Sequence, residues 1–174
     1  MSDREHCDDR QMLPIDEVAA FMNDHKLLLT TAESCTAGLI AAKLADIPGA
    51  GALLDCAYVV YSTRAKQHCV GVQAESLKRF NLTSEEIARE MASGALKNSD
   101  ANLAISNTGL TDDTDPDIPA GTQCFAWAFR DAQAHVTRLY SETRRFSGER
   151  NEIREAAAQF ALSRIPHYYR LDGQ

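Results

Sequence analysis

Hydrophobic and polar positions alternate along the chain with two spacings, one typical of helices and the other of strands. Ile15, Val18 and Met22 lie at helical spacing, which predicts an amphipathic helix over residues 14–25. The same spacing predicts three further helices, over residues 36–47, 82–98 and 148–165. Pro166 is expected to stop the last of them, because proline interrupts a continuing helix.

Short aliphatic and aromatic runs predict five strands, over residues 27–32, 53–62, 102–106, 122–130 and 135–144. The last two are expected to form an antiparallel hairpin with its turn at residues 131–134. Thr83 and Glu86 have the spacing of a capping box at the start of the helix between the second and third strands. Helices interspersed with strands predict a layered α/β domain with a mixed sheet. Residues 1–12 are expected to be a loose extension and residues 13–170 a single domain.

Composition narrows the class of protein. The chain has 174 residues, 44% of them hydrophobic and 25% charged, which suits one soluble domain with a core. Its formal net charge of −7 argues against a broad nucleic-acid surface, although a local basic pocket stays open. No apolar run reaches the roughly 18 residues of a membrane span, and the polar start has no signal-peptide core. We therefore expect a cytoplasmic protein with no membrane or nucleic-acid partner.

Cysteines and histidines give no sign of a metal centre. The five cysteines are odd in number, widely spread and without a CxxC pair, so neither a disulfide framework nor structural zinc is expected. The five histidines lack ligand spacing, and no HExxH is present. The absence of GxGxxG and of a P-loop removes support for a dinucleotide fold or an NTPase. No metal and no cofactor are expected.

The stretch TAESCTAG, residues 31–38, lies at a predicted turn from strand to helix. Backbone N–H groups at such a turn can stabilise an oxyanion, so Ser34 is a candidate nucleophile. The alternative is that Ser34 or Thr36 only caps the helix, and the G-x-S-x-G elbow is absent. Cys35 is a rival nucleophile, or simply a small buried residue.

Two other strand ends carry polar groups. In YSTRAK, residues 61–66, Lys66 would share a face with Ser62 if the segment is helical. Lys66 could act as a base if desolvated, or be an ordinary solvated lysine. SNTG, residues 106–109, closes another strand. Ligands gather beyond the carboxyl ends of parallel strands, so Ser34, Lys66 and Thr108 would converge on one crevice if their strands run parallel.

The loop LTDDTDPDI, residues 110–118, contains four aspartates. It could bind a cation, form a solvated turn, or contact a substrate. A calcium loop starting at Asp113 would need glycine and glutamate where the chain has Ile118 and Cys124, so its spacing fails. Further on, Arg144, Arg145 and Arg150 near the start of the last helix could bind a phosphate or be ordinary surface charge.

Several segments occur together in one order: TAESCTAGLIAAKLADIPGA, VVYSTRAKQHCVGV, LTSEEIAREMASGA, SNTG, PAGT and RRFSGERNEIREAAAQFAL. In this combination the chain resembles the CinA C-terminal-domain family, the nicotinamide mononucleotide deamidases, over about residues 14–165. The resemblance implies an α/β/α sandwich with a mixed sheet of about five or six strands. It also implies a metal-free amidohydrolase converting nicotinamide mononucleotide and water to nicotinate mononucleotide and ammonia, and a homo-oligomer.

The resemblance also implies roles for individual residues. Ser34 would attack the carboxamide carbon and Lys66 would take its proton, with Tyr61 and Thr108 lining the pocket and helping with proton placement. The implied substrate-binding residues are Cys35, Thr36, Ala37, Gly38, Gly109 and Arg145, the last as a phosphate ligand. The partner would be a small-molecule nucleotide.

Two departures from the family pattern separate two hypotheses. Ala37 stands where the motif usually has glycine, and the acidic loop stands where the family usually has a glycine-rich loop. Asp side chains bring bulk and negative charge to a place where glycines allow close backbone approach. The family's N-terminal molybdopterin-type domain is also missing, so a stand-alone form is expected. The leading hypothesis is the deamidase. The alternative is a related protein that keeps the fold and pocket but binds a nucleotide without this activity, or hydrolyses another amide.

Overall fold

A five-stranded mixed sheet forms the centre of the computed structural model, which describes residues 12–131 and 136–171. The strands are β1 (Leu29–Glu33), β2 (Leu54–Val59), β3 (Leu103–Gly109), β4 (Thr122–Asp131) and β5 (Val136–Arg145). Their order across the sheet is β2-β1-β3-β4-β5. β1 is parallel to both β2 and β3, whereas β4 is antiparallel to both of its neighbours. The predicted mixed sheet is therefore confirmed.

Helices cover both faces of this sheet. They are α1 (Ile15–Asp24), α2 (Leu39–Ala45), α3 (Thr63–Val70), α4 (Ala74–Arg79), α5 (Glu85–Lys97), α6 (Arg150–Ser163) and α7 (Ile165–Arg170). A short 3₁₀ turn at Ala50–Ala52 precedes β2. One layer contains α1, α2, α6 and α7, and the other contains α3, α4 and α5. The architecture is the expected α/β/α sandwich.

Strand β4 shows why the two layers differ. Phe125, Trp127 and Phe129 alternate along it and pack into the core cluster under α1, α2, α6 and α7. The intervening positions, Ala126 and Ala128, belong to the other cluster, under α5. Because successive side chains of a strand point to opposite faces, one face is bulky and aromatic while the other lets α5 approach closely.

Three details of the helices differ from the sequence prediction. Ser84, not Thr83, is the N-cap of α5 and accepts the N–H of Ile87, so the predicted Thr83–Glu86 capping box is wrong. Thr83 is instead buried and lines a cleft described below. Pro166 does not end the helical region, since it occupies the first turn of α7, where no N–H is needed. The short helix α4 was not predicted. Of the predicted hairpin turn at residues 131–134, Asp131 is the last residue of β4 and residues 132–134 lie outside the described residues. Residues 1–11 of the predicted loose extension, residues 1–12, also lie outside them.

Parallel pairing brings three strand ends to one edge of the sheet. Glu33, the last residue of β1, is in register with Val59 of β2 on one side and Asn107 of β3 on the other. The residues that follow β1 and β2, and the last residues of β3, therefore lie side by side. This edge carries the candidate site.

Candidate active site

A serine and a buried lysine are in direct contact at this edge. Ser34 directly follows β1 and is 8% exposed, while Lys66 lies in α3 and is 2% exposed. Ser62 caps α3 by accepting the N–H of Ala65. One turn further on, the Nζ of Lys66 lies 2.9 Å from the Oγ of Ser34. The segment that contains Lys66 is therefore helical, which was the condition of the prediction. The helix turns Lys66 toward Ser34.

The surroundings of Lys66 favour its neutral form. Its Nζ also donates to the carbonyl oxygens of Val60, at 2.9 Å, and Tyr61, at 3.1 Å. The burial of the ammonium lowers the pKa of Lys66 to about 8. Desolvation disfavours the charged state. At neutral pH a substantial minority of the molecules, roughly one in ten, carries an amine that can accept a proton.

Glu33 holds the turn that presents Ser34. Its carboxylate is completely buried and accepts five hydrogen bonds, at 2.7 to 3.1 Å, from the hydroxyls of Thr31 and Thr36 and the N–H groups of Gly38, Ile40 and Ala41. The backbone can fold around this carboxylate because residues 37 and 38 take the left-handed conformation, with φ of 48° and 98°. Sequence reasoning missed Glu33. The available signal was a single charged residue at the end of an otherwise uncharged strand.

Asn107 and Gln123 join the same turn to the middle of the sheet. The backbone oxygen of Asn107 accepts the N–H of Ser34 at 3.0 Å, and its Oδ1 accepts the N–H of Thr36 at 3.0 Å. Its Nδ2 donates to the Oε1 of Gln123 at 2.9 Å. Both amide side chains are fully buried, so the nucleophile turn is fixed by paired polar groups from β3 and β4. Sequence reasoning missed these residues as well.

Cys35 lies beside Ser34 but in a different environment. Its side chain is 6% exposed, and its Sγ accepts a weak hydrogen bond from the Nε2 of Gln123 at 3.4 Å. Burial raises the pKa of the Cys35 thiol, which keeps the thiolate scarce at neutral pH. The backbone N–H of Cys35 makes no hydrogen bond to any other residue that the structure describes. That N–H is a donor adjacent to the serine hydroxyl.

A cleft of about 440 Å³ opens above the serine and the lysine. Its lining comprises Ser34, Cys35, Tyr61, Lys66, residues 81–83, residues 108–110, Thr114 and Asp115. The hydroxyl of Thr108 donates to the carbonyl of Leu82 at 2.7 Å and so ties two walls together. A larger cavity of about 620 Å³ lies between α5 and residues 70–80, but its lining includes neither Ser34 nor Lys66.

The acidic loop, residues 111–117, forms one wall and the rim of this cleft. The Oδ2 of Asp112 lies 2.6 Å from Nη1 of Arg150, which is the first residue of α6. Asp115 accepts the Nδ2 of Asn81 at 2.8 Å and the N–H of Asp117 at 2.9 Å. These hydrogen bonds to its charged form lower the pKa of Asp115. Among the residues the structure describes, no three His, Cys, Asp or Glu side chains are grouped as metal ligands.

The base of the acidic loop is closed by backbone pairing. The N–H of Leu110 donates to the oxygen of Thr122 at 3.1 Å, and the N–H of Gly121 donates to the oxygen of Leu110 at 3.1 Å. Gly109 lies beside this closure, and a β-carbon there would overlap the side chain of Gln123. The loop therefore leaves and re-enters the sheet at one fixed place.

The structure brings some of the predicted site residues together and separates others. Those that line the cleft are Ser34, Cys35, Tyr61, Lys66, Thr108 and Gly109. Thr36, Ala37 and Gly38 instead form the turn that supports the serine, and the methyl group of Ala37 is exposed. Arg145 is exposed and donates to the carbonyl of Ala120 at 3.0 Å, outside the cleft lining.

The sheet, its two helical layers and the polar cleft at its carboxyl edge define an α/β/α protein with its candidate site beyond the ends of parallel strands. A model of the CinA C-terminal domain matches residues 14–169, and the chain belongs to that family. No described helix is both long enough and apolar enough to span a membrane.

Relatives and solved structures agree with this assignment. The nicotinamide-nucleotide amidohydrolase PncC of Enterobacter agglomerans is 36% identical over 148 residues, covering 84% of this chain and 87% of the relative. A CinA-like protein of Akkermansia muciniphila is 35% identical over 148 residues, covering 84% of this chain. The chain spans only 34% of that relative's length, and 38% of a relative from Symbiobacterium thermophilum.

The crystal structure of the competence damage-inducible protein A (ComA) from Klebsiella pneumoniae superposes with a TM-score of 0.83 at 31% identity. The match covers 91% of this chain and 96% of that one. The competence/damage inducible protein CihA from Agrobacterium tumefaciens gives a TM-score of 0.78 at 33% identity, over 89% and 95% of the two chains. The similarity therefore extends over nearly the whole fold.

Proposed function

We propose that this protein is an amidohydrolase that converts nicotinamide mononucleotide and water to nicotinate mononucleotide and ammonia. The observation that carries the proposal is the 2.9 Å contact between the Oγ of Ser34 and the Nζ of a buried Lys66. The family relationship to a protein named nicotinamide-nucleotide amidohydrolase supports the choice of substrate. A hydroxyl paired with a desolvated amine is a suitable nucleophile and base for acyl transfer.

In the first half of the reaction, the neutral amine of Lys66 takes the hydroxyl proton while the Oγ of Ser34 attacks the carboxamide carbon. The carbonyl oxygen becomes an oxyanion, and the proposed donor to it is the N–H of Cys35, which makes no hydrogen bond to another described residue. Collapse of the tetrahedral intermediate breaks the C–N bond. Lys66 returns its proton to the leaving nitrogen, so ammonia departs and an ester on Ser34 remains.

In the second half, a water molecule attacks the ester while Lys66 takes one of its protons. Collapse breaks the bond to the Oγ of Ser34, which regains a proton from Lys66, and the nicotinate product leaves. The carbonyl oxygens of Val60 and Tyr61 hold the Nζ in place in both protonation states. Because only the neutral amine can begin the cycle, kcat/KM for the amide should rise with pH through about 8. A pH–rate profile measures this.

A second candidate is a protein that keeps the fold and cleft but acts on another amide, or binds a nucleotide without hydrolysis. The observation that favours it is the carboxylate of Asp115 on the cleft wall. A nearby negative charge disfavours a phosphorylated ligand, and this carboxylate stays ionised because its pKa is lowered.

Ammonia release from nicotinamide mononucleotide tests the proposal. Wild-type protein should turn over the substrate, Ser34→Ala should lose at least about a thousandfold in kcat, and Ser147→Ala, at an exposed serine, should match wild type. Wild-type turnover no greater than that of Ser34→Ala would defeat the deamidase proposal. Activity that persists in Ser34→Ala and disappears in Cys35→Ala would instead move the nucleophile by one residue.

A further inference from the structure

We propose that Asp112 is a specificity-determining residue. Its carboxylate forms an ion pair with Arg150, the guanidinium at the mouth of the cleft, and so competes there with an anionic group of the ligand. The inference rests on the proposed function for the identity of the substrate. It adds that this chain's own loop sets how strongly the 5′-phosphate end of a nicotinamide nucleotide is bound.

The contacts of Arg150 place it at the mouth. Its Nη1 is 2.6 Å from Asp112 and 2.7 Å from the hydroxyl of Thr111, while its Nη2 is 3.2 Å from the hydroxyl of Tyr61. Tyr61 lines the cleft together with Ser34. The guanidinium thus bridges Tyr61 on the cleft wall and the acidic loop.

The Asp112–Arg150 pair is open to competition by a ligand. The side chain of Arg150 is 51% exposed and that of Asp112 is 57% exposed. Ion pairs that are this exposed contribute little binding free energy in water. The carboxylate of Asp112 contacts Arg150 through one oxygen. A phosphate is a stronger partner, because it carries more charge and can accept two parallel hydrogen bonds from the guanidinium. A bound phosphate would have to displace Asp112 from Arg150, and Asp112 would then remain nearby as a repelling charge.

Two other cations near the cleft, Lys66 and Arg154, are already engaged with uncharged oxygens. Lys66 lines the cleft, but its Nζ contacts Ser34 and two backbone carbonyls. Arg154 donates to the backbone oxygens of Cys35 and Thr36, behind the nucleophile turn. Arg150, which contacts Tyr61 of the cleft lining, is therefore a suitable partner for an anionic group at the outer end of a ligand whose amide lies at Ser34.

Asp112→Asn should release Arg150 while leaving the shape of the loop unchanged. KM for nicotinamide mononucleotide should fall about fivefold, since one unit charge close to a phosphate is removed in a solvent-exposed setting. KM for nicotinamide riboside, which has no phosphate, should not change. Asp113→Asn is the matched control, because it removes the same charge from the next residue, which is also exposed.

A binding measurement that needs no turnover separates this inference from the proposed reaction. The dissociation constant of ribose 5-phosphate is measured by calorimetry for wild type, Asp112→Asn, Asp113→Asn and the double variant Asp112→Asn/Arg150→Gln. We expect about fivefold tighter binding in Asp112→Asn alone, and loss of that gain in the double variant.

Equal affinities in Asp112→Asn and Asp113→Asn, or no measurable binding by any of these proteins, would overturn the inference whether or not the wild type is active. A selective gain in Asp112→Asn without any amide hydrolysis by the wild type would support the inference and defeat the proposed reaction. The two failures are therefore distinguishable.

Discussion

The buried amine of Lys66 makes the stability of the fold depend on alkaline pH. Its pKa is about 8 in the folded protein, against an ordinary value of 10.5. Below about pH 8 both folded and unfolded chains carry the proton, and the fold bears the full cost of a buried ammonium. Between these two pKa values the folded chain has lost the proton while the unfolded chain keeps it. The free energy of unfolding therefore rises with pH in this window, by about 3 kcal/mol in total.

Lys66→Met removes the titration while keeping a side chain of similar length. Urea unfolding at about pH 7 and about pH 9.5 should show the wild type gaining about 2 kcal/mol relative to this variant. The gain is compared between the two proteins because their other titratable groups are the same, so the difference reports the ionisation of Lys66. Lys78→Met, at an exposed lysine of α4, should show no such difference from wild type. A pH-dependent gain below about 0.5 kcal/mol would refute the assigned ionisation of Lys66.

Three substitutions test the support of the site. Glu33→Gln should lower the free energy of unfolding by about 2 kcal/mol in urea denaturation and reduce kcat, because the amide cannot accept all five hydrogen bonds; an exposed control, Glu17→Gln, should stay within about 0.5 kcal/mol. Gly109→Ala should destabilise by about 1–3 kcal/mol through overlap with a buried side chain, whereas Gly51→Ala, with open space around it, should be near neutral; equal melting temperatures would contradict this. Ala37→Gly should stabilise by about 1 kcal/mol by relieving the positive φ, and a lower melting temperature would argue against that strain.

The sequence predicted those parts of the molecule that depend on local pattern. Spacing alone predicted all five strands and the long helices, because alternation and amphipathicity are recorded in neighbouring residues. The meeting of Ser34, Lys66 and Thr108 at one cleft also followed from local order, given parallel strands whose ends share an edge. The family resemblance supplied the expected roles of these residues, which pattern alone left open.

The supporting contacts of the site were not predictable in this way. Asn107 bonds to Thr36 across 71 positions of the chain, so nothing near either residue in the sequence indicates the contact. The placement of Arg145 and Arg150 relative to the cleft was also not predictable from local pattern. It depends on where β5 ends and α6 begins, which places one guanidinium on a remote carbonyl and the other at the cleft mouth.

Because the base of the acidic loop is closed, substitutions in the loop and substitutions in the sheet have different consequences. Residues 111–120 enter and leave through the backbone bonds joining Leu110 to Gly121 and Thr122, so their side chains can be exchanged without shifting the end of β3. Ser34, Lys66 and the buried residues that hydrogen-bond around them belong to the sheet and its flanking helices. Substitutions in this packed interior lower the free energy of unfolding. Loop transplantation can therefore change ligand preference while the reacting groups stay in place.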